Sequence, residues 1–224
     1  MGVVNEESWL GMSRSSEGKK PQPLNQLASI LRVITVPPVL VSALLLLLFA
    51  LETDVFATWV ELLLSLVFLV LIPLAAYPLS QIIPSVKEKG REGQRQLALL
   101  LSLAGYAGGV AYGILGGVSN TLLLIFLTYF VSVAALVLFN KALKLRASGH
   151  ACSSTGPLIF FVYCTGLYGV VPCVVIAAAV AWSSLHLERH TKSELLLGAA
   201  IACVSFLVAL PLSAALSVAL SGVF

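Results

Sequence analysis

Charge is scarce in this sequence. Aspartate, glutamate, lysine and arginine together make up 10% of its 224 residues, against about 25% in soluble domains. No aqueous surface can be built from so few charged side chains. Aspartate is almost missing, Asp54 being the only one. That excludes the paired aspartates with which an all-helical prenyltransferase would hold magnesium and a diphosphate. The four cysteines (Cys152, Cys164, Cys173, Cys203) form no Cys-x-x-Cys pair and mostly sit in apolar runs, so they read as small packing residues. No cleavable signal peptide is expected: the first thirty residues are polar, with no short apolar core beside a small-residue cleavage site. Gly2 is not followed by Ser or Thr at the sixth position, where Glu6 stands, so the myristoylation pattern is incomplete. Residues 1–30 are expected to form a disordered cytoplasmic tail.

What is abundant is apolar side chain. Hydrophobic residues make up 59% of the chain and the mean hydropathy is +1.01. The apolar stretches are continuous, as in Val41 to Ala50 and Leu62 to Ala76, rather than alternating, which argues against a β-barrel. Residues 31–224 therefore read as one all-α, polytopic membrane bundle of six or seven transmembrane helices, each needing about 20 apolar residues. The expected spans are Leu31–Leu51, with Pro37-Pro38 near its start, and Thr58–Ile83, kinked by Pro73 and Pro78. Leu97–Leu115, Thr121–Phe139 and Leu195–Leu220 follow. Gly105, Ala107, Gly108, Gly109, Ala111 and Gly113 give the third span a small-residue face suited to close helix packing.

The region 148–185 admits two readings, one span from Pro157 to Trp182 or a hairpin of two shorter helices. Gly166, Gly169 and Pro172 supply turn chemistry for the hairpin. Charge placement favours it. The tail and the 87–95 and 141–146 segments are basic, the 52–58 loop is acidic (Glu52, Asp54), and the 116–120 turn is uncharged. With a hairpin every Lys and Arg falls on one face, giving seven spans with the N-terminus inside. The expected partner is thus the lipid bilayer; no nucleic-acid partner is expected.

All three histidines, His150, His186 and His190, lie in just two loops at that face. Ionisable residues near membrane depth are candidates for function. Ser148-Gly149-His150 opening a helix would offer backbone N–H groups and a positive dipole end to phosphate; Ser148 also suits an N-cap. His190 and Glu194 are four apart and share a helical face, so the carboxylate can hold the imidazole in one tautomer. His186 and His190 do not make the His-Glu-x-x-His zinc pattern, and no metal or other cofactor is expected.

The segments Ala147-Ser148-Gly149-His150 and Ser183 to Glu194 resemble the second and third motifs of the type 2 phosphatidic acid phosphatase superfamily. That family reads Pro-Ser-Gly-His, then Ser-Arg, five residues, His, three residues and Asp. Ser183, His190 and Glu194 keep the third-motif spacing, Gly198 follows where the family often has glycine, and the interval between His150 and His190 suits the family's intervening hairpin. Ala147 replaces the proline, Ser184 the arginine and Glu194 the aspartate. The nearest match to the first motif is Lys87 or Lys89 with Arg91 and Arg95, followed by Gln96 in place of proline.

The resemblance, over roughly residues 87–198, implies a metal-independent lipid phosphatase. His190 would be the nucleophile that forms a phosphohistidine, Glu194 its partner, and His150 the acid for the leaving group. Lys89, Arg91 and Arg95 would bind phosphate, with Arg189 standing in for the missing arginine. Arg95, supported by Arg91, is expected to be the principal clamp, because a guanidinium grips phosphate oxygens as a fork. Phosphatidate, phosphatidylglycerophosphate and polyprenyl phosphates all fit. The rival reading is a non-catalytic lipid-phosphate binder or transporter on the same fold.

Overall fold

The computed structural model describes residues 23–51 and 54–221, and the structural statements below concern those residues. They are all-α, with no strand. The helices are α1 (Pro23–Ile34), α2 (Pro37–Ala50), α3 (Trp59–Ile82), α4 (Gly90–Gly116), α5 (Asn120–Ala142), α6 (Gly149–Thr165), α7 (Val170–His186) and α8 (Lys192–Ser221). Five helical stretches are long and apolar enough to cross a membrane, or six with the bent pair α1 and α2 taken as one. Leu46, Val174, Leu196, Leu207 and Val218 are exposed, as lipid-facing residues of a membrane bundle would be.

Helix α5 is the centre of the bundle. Leu122 through Tyr129 are all buried, so the helix is apolar and covered all round. In its most apolar window 61% of residues are buried, against 33% at most for the other spans. Helix α4 packs on it through glycines. A Cβ at Gly109 would strike the Phe126 ring, and one at Gly113 would come within 3.1 Å of Leu123. Gly105 sits against the Phe68 carbonyl of α3. The tight face is narrower than its sequence suggested, since Ala107 and Ala111 are exposed.

Proline shapes the entry and the second span. Val36 is extended (φ −61°, ψ 143°), the conformation a residue before proline prefers. The expected first span is consequently broken there, and α1 and α2 meet at a bend of 51°. Among the described residues helix is already present at Pro23, ahead of the expected start at Leu31; residues 1–22 of the expected tail lie outside the described residues. In α3 a π-helical turn at Val67–Leu71 precedes Pro73, and such turns are a known cause of bending beside proline.

The 149–186 stretch is a hairpin. Gly166, at φ +66°, opens a 3₁₀ turn, Gly166–Gly169, and the Cys173 thiol reaches the Leu158 carbonyl at 3.4 Å. The Ser148 N–H donates to the Glu194 carbonyl at 3.0 Å, which brings the two ends of the stretch to the same face. A straight helix of its 38 residues would separate those ends by about 57 Å. Counting the arms separately and α1–α2 as one gives seven helical segments among the described residues. The α8 helix packs on α5 and α6, α6 on α2, and α7 on α1.

Candidate functional site

Two chain reversals on the same face build the site. The first leads from α5 into α6. The last turn of α5 is π-helical (Leu138–Ala142), and Asn140 straps the following loop down. Its Nδ2 donates to the Leu136 carbonyl at 2.9 Å and its Oδ1 accepts from the Ala147 N–H at 3.0 Å. Ser148 then caps α6, its buried hydroxyl accepting from the Ala151 N–H at 3.2 Å. Gly149 and His150 follow in the first turn.

The second reversal joins α7 to α8. Helix α7 ends in a Schellman motif: the Glu188 N–H donates to the Leu185 carbonyl and the Arg189 N–H to the Ser184 carbonyl, each at 3.0 Å. Glu188 occupies the left-handed position at φ +50°, where glycine is usual. Thr191 and Glu194 then form a reciprocal capping box. The Glu194 N–H donates to Thr191 Oγ1 at 3.2 Å, and the Thr191 N–H donates to Glu194 Oε2 at 3.3 Å. The same Oε2 accepts from His190 Nδ1 at 3.0 Å. Glu194 Oε1 meets Arg146 Nε at 3.7 Å.

Gly198 locks the two reversals together. A Cβ there would run into the Ser148 carbonyl oxygen and come within 3.1 Å of the Ala151 side chain. Only glycine allows the start of α8 to lie so close to the start of α6.

Between these reversals and the starts of α2 and α4 lies a cavity of about 490 Å³. His150 and His190 both line it, with Gly149 and five arginines: Arg32, Arg91, Arg95, Arg146 and Arg189. No carboxylate lines it among the described residues. The cavity is deep as well as cationic. Arg91 at its mouth and Tyr106 at its floor both belong to α4, and their spacing corresponds to about 22 Å along the helix. Val41, Leu69, Leu99 and Val133 make the inner walls apolar. Three polar atoms around it are buried with no hydrogen-bond partner among the described residues: His150 Nε2, Tyr129 Oη and Arg32 Nη1. Each such atom costs about 1–3 kcal/mol, so the cavity is suited to a ligand that satisfies them.

Most of the site residues expected from sequence come together here. His150, His190, Arg91, Arg95, Arg189 and Gly149 line the cavity, and Glu194 stands behind His190. Lys89 and Ser148 do not line it: Lys89 sits exposed just before α4 and Ser148 is the α6 cap. Arg95 carries a side chain 56% exposed and faces Glu92 at 3.9 Å. Arg189, expected to stand in for the missing arginine, lies in the α7–α8 loop and lines the cavity. Ser184 is fully buried, and its hydroxyl has no hydrogen-bond partner among the described residues. His186 is turned away from the cavity chemistry, stacked on Trp182 at 5.1 Å and bonded to Asn25 at 2.9 Å. Among the described residues no group of three His, Cys, Asp or Glu side chains gathers in a way that could hold a metal ion.

Two cationic residues of the cavity, Arg32 and Arg146, were missed. Arg146 had a visible signal, since it stands four residues before His150. Arg32 belongs to a stripe of Asn25, Ala28 and Arg32 on α1, continued by Thr35 in the turn that follows, spaced as one helical face. Ala28 and Thr35 are buried and Asn25 bonds to α7, so that face is turned inward. No family model, curated protein or solved structure matches the chain.

Proposed function

We propose that this chain is an integral membrane lipid phosphatase that hydrolyses the phosphate of a lipid or polyprenyl substrate through a phosphohistidine, without a metal. One observation carries the reading: a single cavity holds two histidines, one of them buttressed by a carboxylate, at an arginine-rich mouth above apolar walls. A phosphomonoester brings two negative charges, and its transfer needs cations for the equatorial oxygens, a nucleophile and an acid.

The residues divide those tasks. The arginines hold the phosphate oxygens while the hydrocarbon chain lies along the apolar depth. With Nδ1–H donated to Glu194, His190 presents the lone pair of Nε2 for attack on phosphorus. The P–O bond to the lipid breaks as the N–P bond forms, and His150 gives its proton to the departing oxygen. Water then attacks the phosphohistidine, His150 takes its proton, and phosphate leaves with His190 restored. The site face is assigned to the cytoplasm, because the basic loops gather there.

The alternative is a lipid-phosphate binder without turnover, and Ser184 favours it, because an uncharged hydroxyl stands where the resembling family carries a cation. The two are separated by purified protein in detergent with excess chelator, offered phosphatidate and a polyprenyl phosphate. The phosphatase reading expects phosphate release and an acid-labile, alkali-stable phosphoprotein that disappears in His190→Ala. Binding of these lipids with neither release nor phosphoprotein would leave the binder.

A further inference from the structure

The cavity contains more positive charge than its surroundings neutralise. Arg95 faces Glu92 and Arg146 faces Glu194. Arg32, Arg91 and Arg189 form no ion pair among the described residues. Arg32 is the most constrained of the three. It is half-buried on the inward face of α1, its Nη1 is enclosed and unpartnered, and it lies within electrostatic range of both Arg189 and His150. An enclosed guanidinium facing another arginine and a histidine, with no carboxylate among the cavity walls, is destabilising until an anion arrives.

We infer that Arg32, delivered from outside both histidine loops by the amphipathic helix α1, is a phosphate-binding residue of this site and supplies the cation that Ser184 does not. The inference rests on the phosphate-binding part of the proposed function and goes beyond it by assigning a role to α1. The fold holds Arg32 in place on three sides. Thr35 and Ala28 bury the same face of α1, Asn25 ties its first turn to His186 on α7, and Pro37-Pro38 fix the turn that follows. The fork of a guanidinium can take two oxygens of a phosphate dianion, while Arg189 and Arg91 approach from other chain segments. On its outer face α1 exposes Leu24, Leu27, Ile30, Val33 and Ile34, which places the helix where a lipid headgroup passes from the bilayer into the cavity.

The test uses the full chain in phosphatidylcholine nanodiscs, in a His190→Ala background so that nothing is turned over. Inorganic phosphate and nanodiscs doped with phosphatidate are the two probes. Arg32→Met keeps the aliphatic stem and removes the charge. It should weaken phosphate binding by about tenfold or more while leaving the unliganded melting temperature unchanged or raised, since an unpaired enclosed charge has been removed. Phosphate binding within twofold of the parent would overturn the assignment of Arg32. As a second measurement needing no Arg32 variant, bound phosphate should protect Arg32 from a dicarbonyl arginine reagent, read by mass spectrometry; equal modification with and without phosphate also overturns it. Equal weakening for phosphatidate and for phosphate supports Arg32 as a lipid-phosphate ligand. Weakening for inorganic phosphate, with no phosphatidate binding by the parent, keeps Arg32 and defeats the lipid phosphatase reading.

Discussion

Replacing Glu194 with glutamine removes one charge and almost no volume, and the geometry fixes what should follow. A single oxygen, Oε2, accepts both the His190 Nδ1–H at 3.0 Å and the Thr191 N–H at 3.3 Å. Two donors facing one atom dictate the amide orientation: the glutamine oxygen takes that place and its NH₂ takes the place of Oε1. Arg146, which Oε1 meets at 3.7 Å, is 80% exposed and can swing into solvent. The tautomer of His190 is therefore preserved. What is lost is the difference between a charge-assisted and a neutral hydrogen bond to an imidazole that becomes positive in the reaction, about 1–1.5 kcal/mol. That corresponds to about a tenfold fall in kcat, with KM little changed. Glu194→Ala should be far worse, because it frees the tautomer and removes half of the capping box, itself worth about 1 kcal/mol. The assay is phosphate release from lipid-phosphate micelles in chelator, with thermal unfolding in parallel. A glutamine variant as active as the parent, or as inactive as His190→Ala, would refute the reasoning.

His190→Ala should abolish turnover while leaving lipid-phosphate binding and thermal stability close to the parent, checked by a nanodisc binding assay beside the phosphate-release assay. Arg189→Ala should raise KM more than Arg95→Ala does, because Arg95 is already offset by Glu92 and largely exposed; steady-state kinetics on both variants decides. Glu188→Gly should stabilise the protein by about 1 kcal/mol, since glycine adopts the left-handed position at φ +50° without the penalty a side chain brings, and a melting curve reads it. Cysteines introduced at Tyr168 and Ser193 should react with a membrane-impermeant thiol reagent from opposite sides of a sealed vesicle; a Tyr168→Cys protein shielded from both sides would mean that the hairpin enters the bilayer without crossing it.

The parts of this fold that rest on local rules were legible in the sequence. Gly166 and Gly169 marked the hairpin turn, the polar loop that holds His186 and His190 marked the α7–α8 reversal, and the basic segments marked a common face. Pro37-Pro38 was read as lying within a span, whereas the extended residue it imposes at Val36 breaks that span in two. Arg32 was not legible in the same way. Its place in the cavity depends on α1 packing against α7, a contact across about 160 residues that no local pattern encodes. His190 and Glu194 were read as sharing a helical face; the left-handed Glu188 closes α7 before His190, and α8 starts only at Lys192.

The two arms of the hairpin also bear on the membrane around them. Each has 17 residues and rises about 25 Å, less than the roughly 30 Å of hydrocarbon in a typical bilayer. The tip between them carries Tyr168, 93% exposed, an aromatic ring of the kind that settles at the headgroup level. The Ser148 cap and the Glu194 contact anchor the other end of α6, which limits how far the tip can shift to meet a thick leaflet. Arms of this length match a thin bilayer with less strain than a thick one. Bilayer thickness would thereby bear on the helix that carries His150.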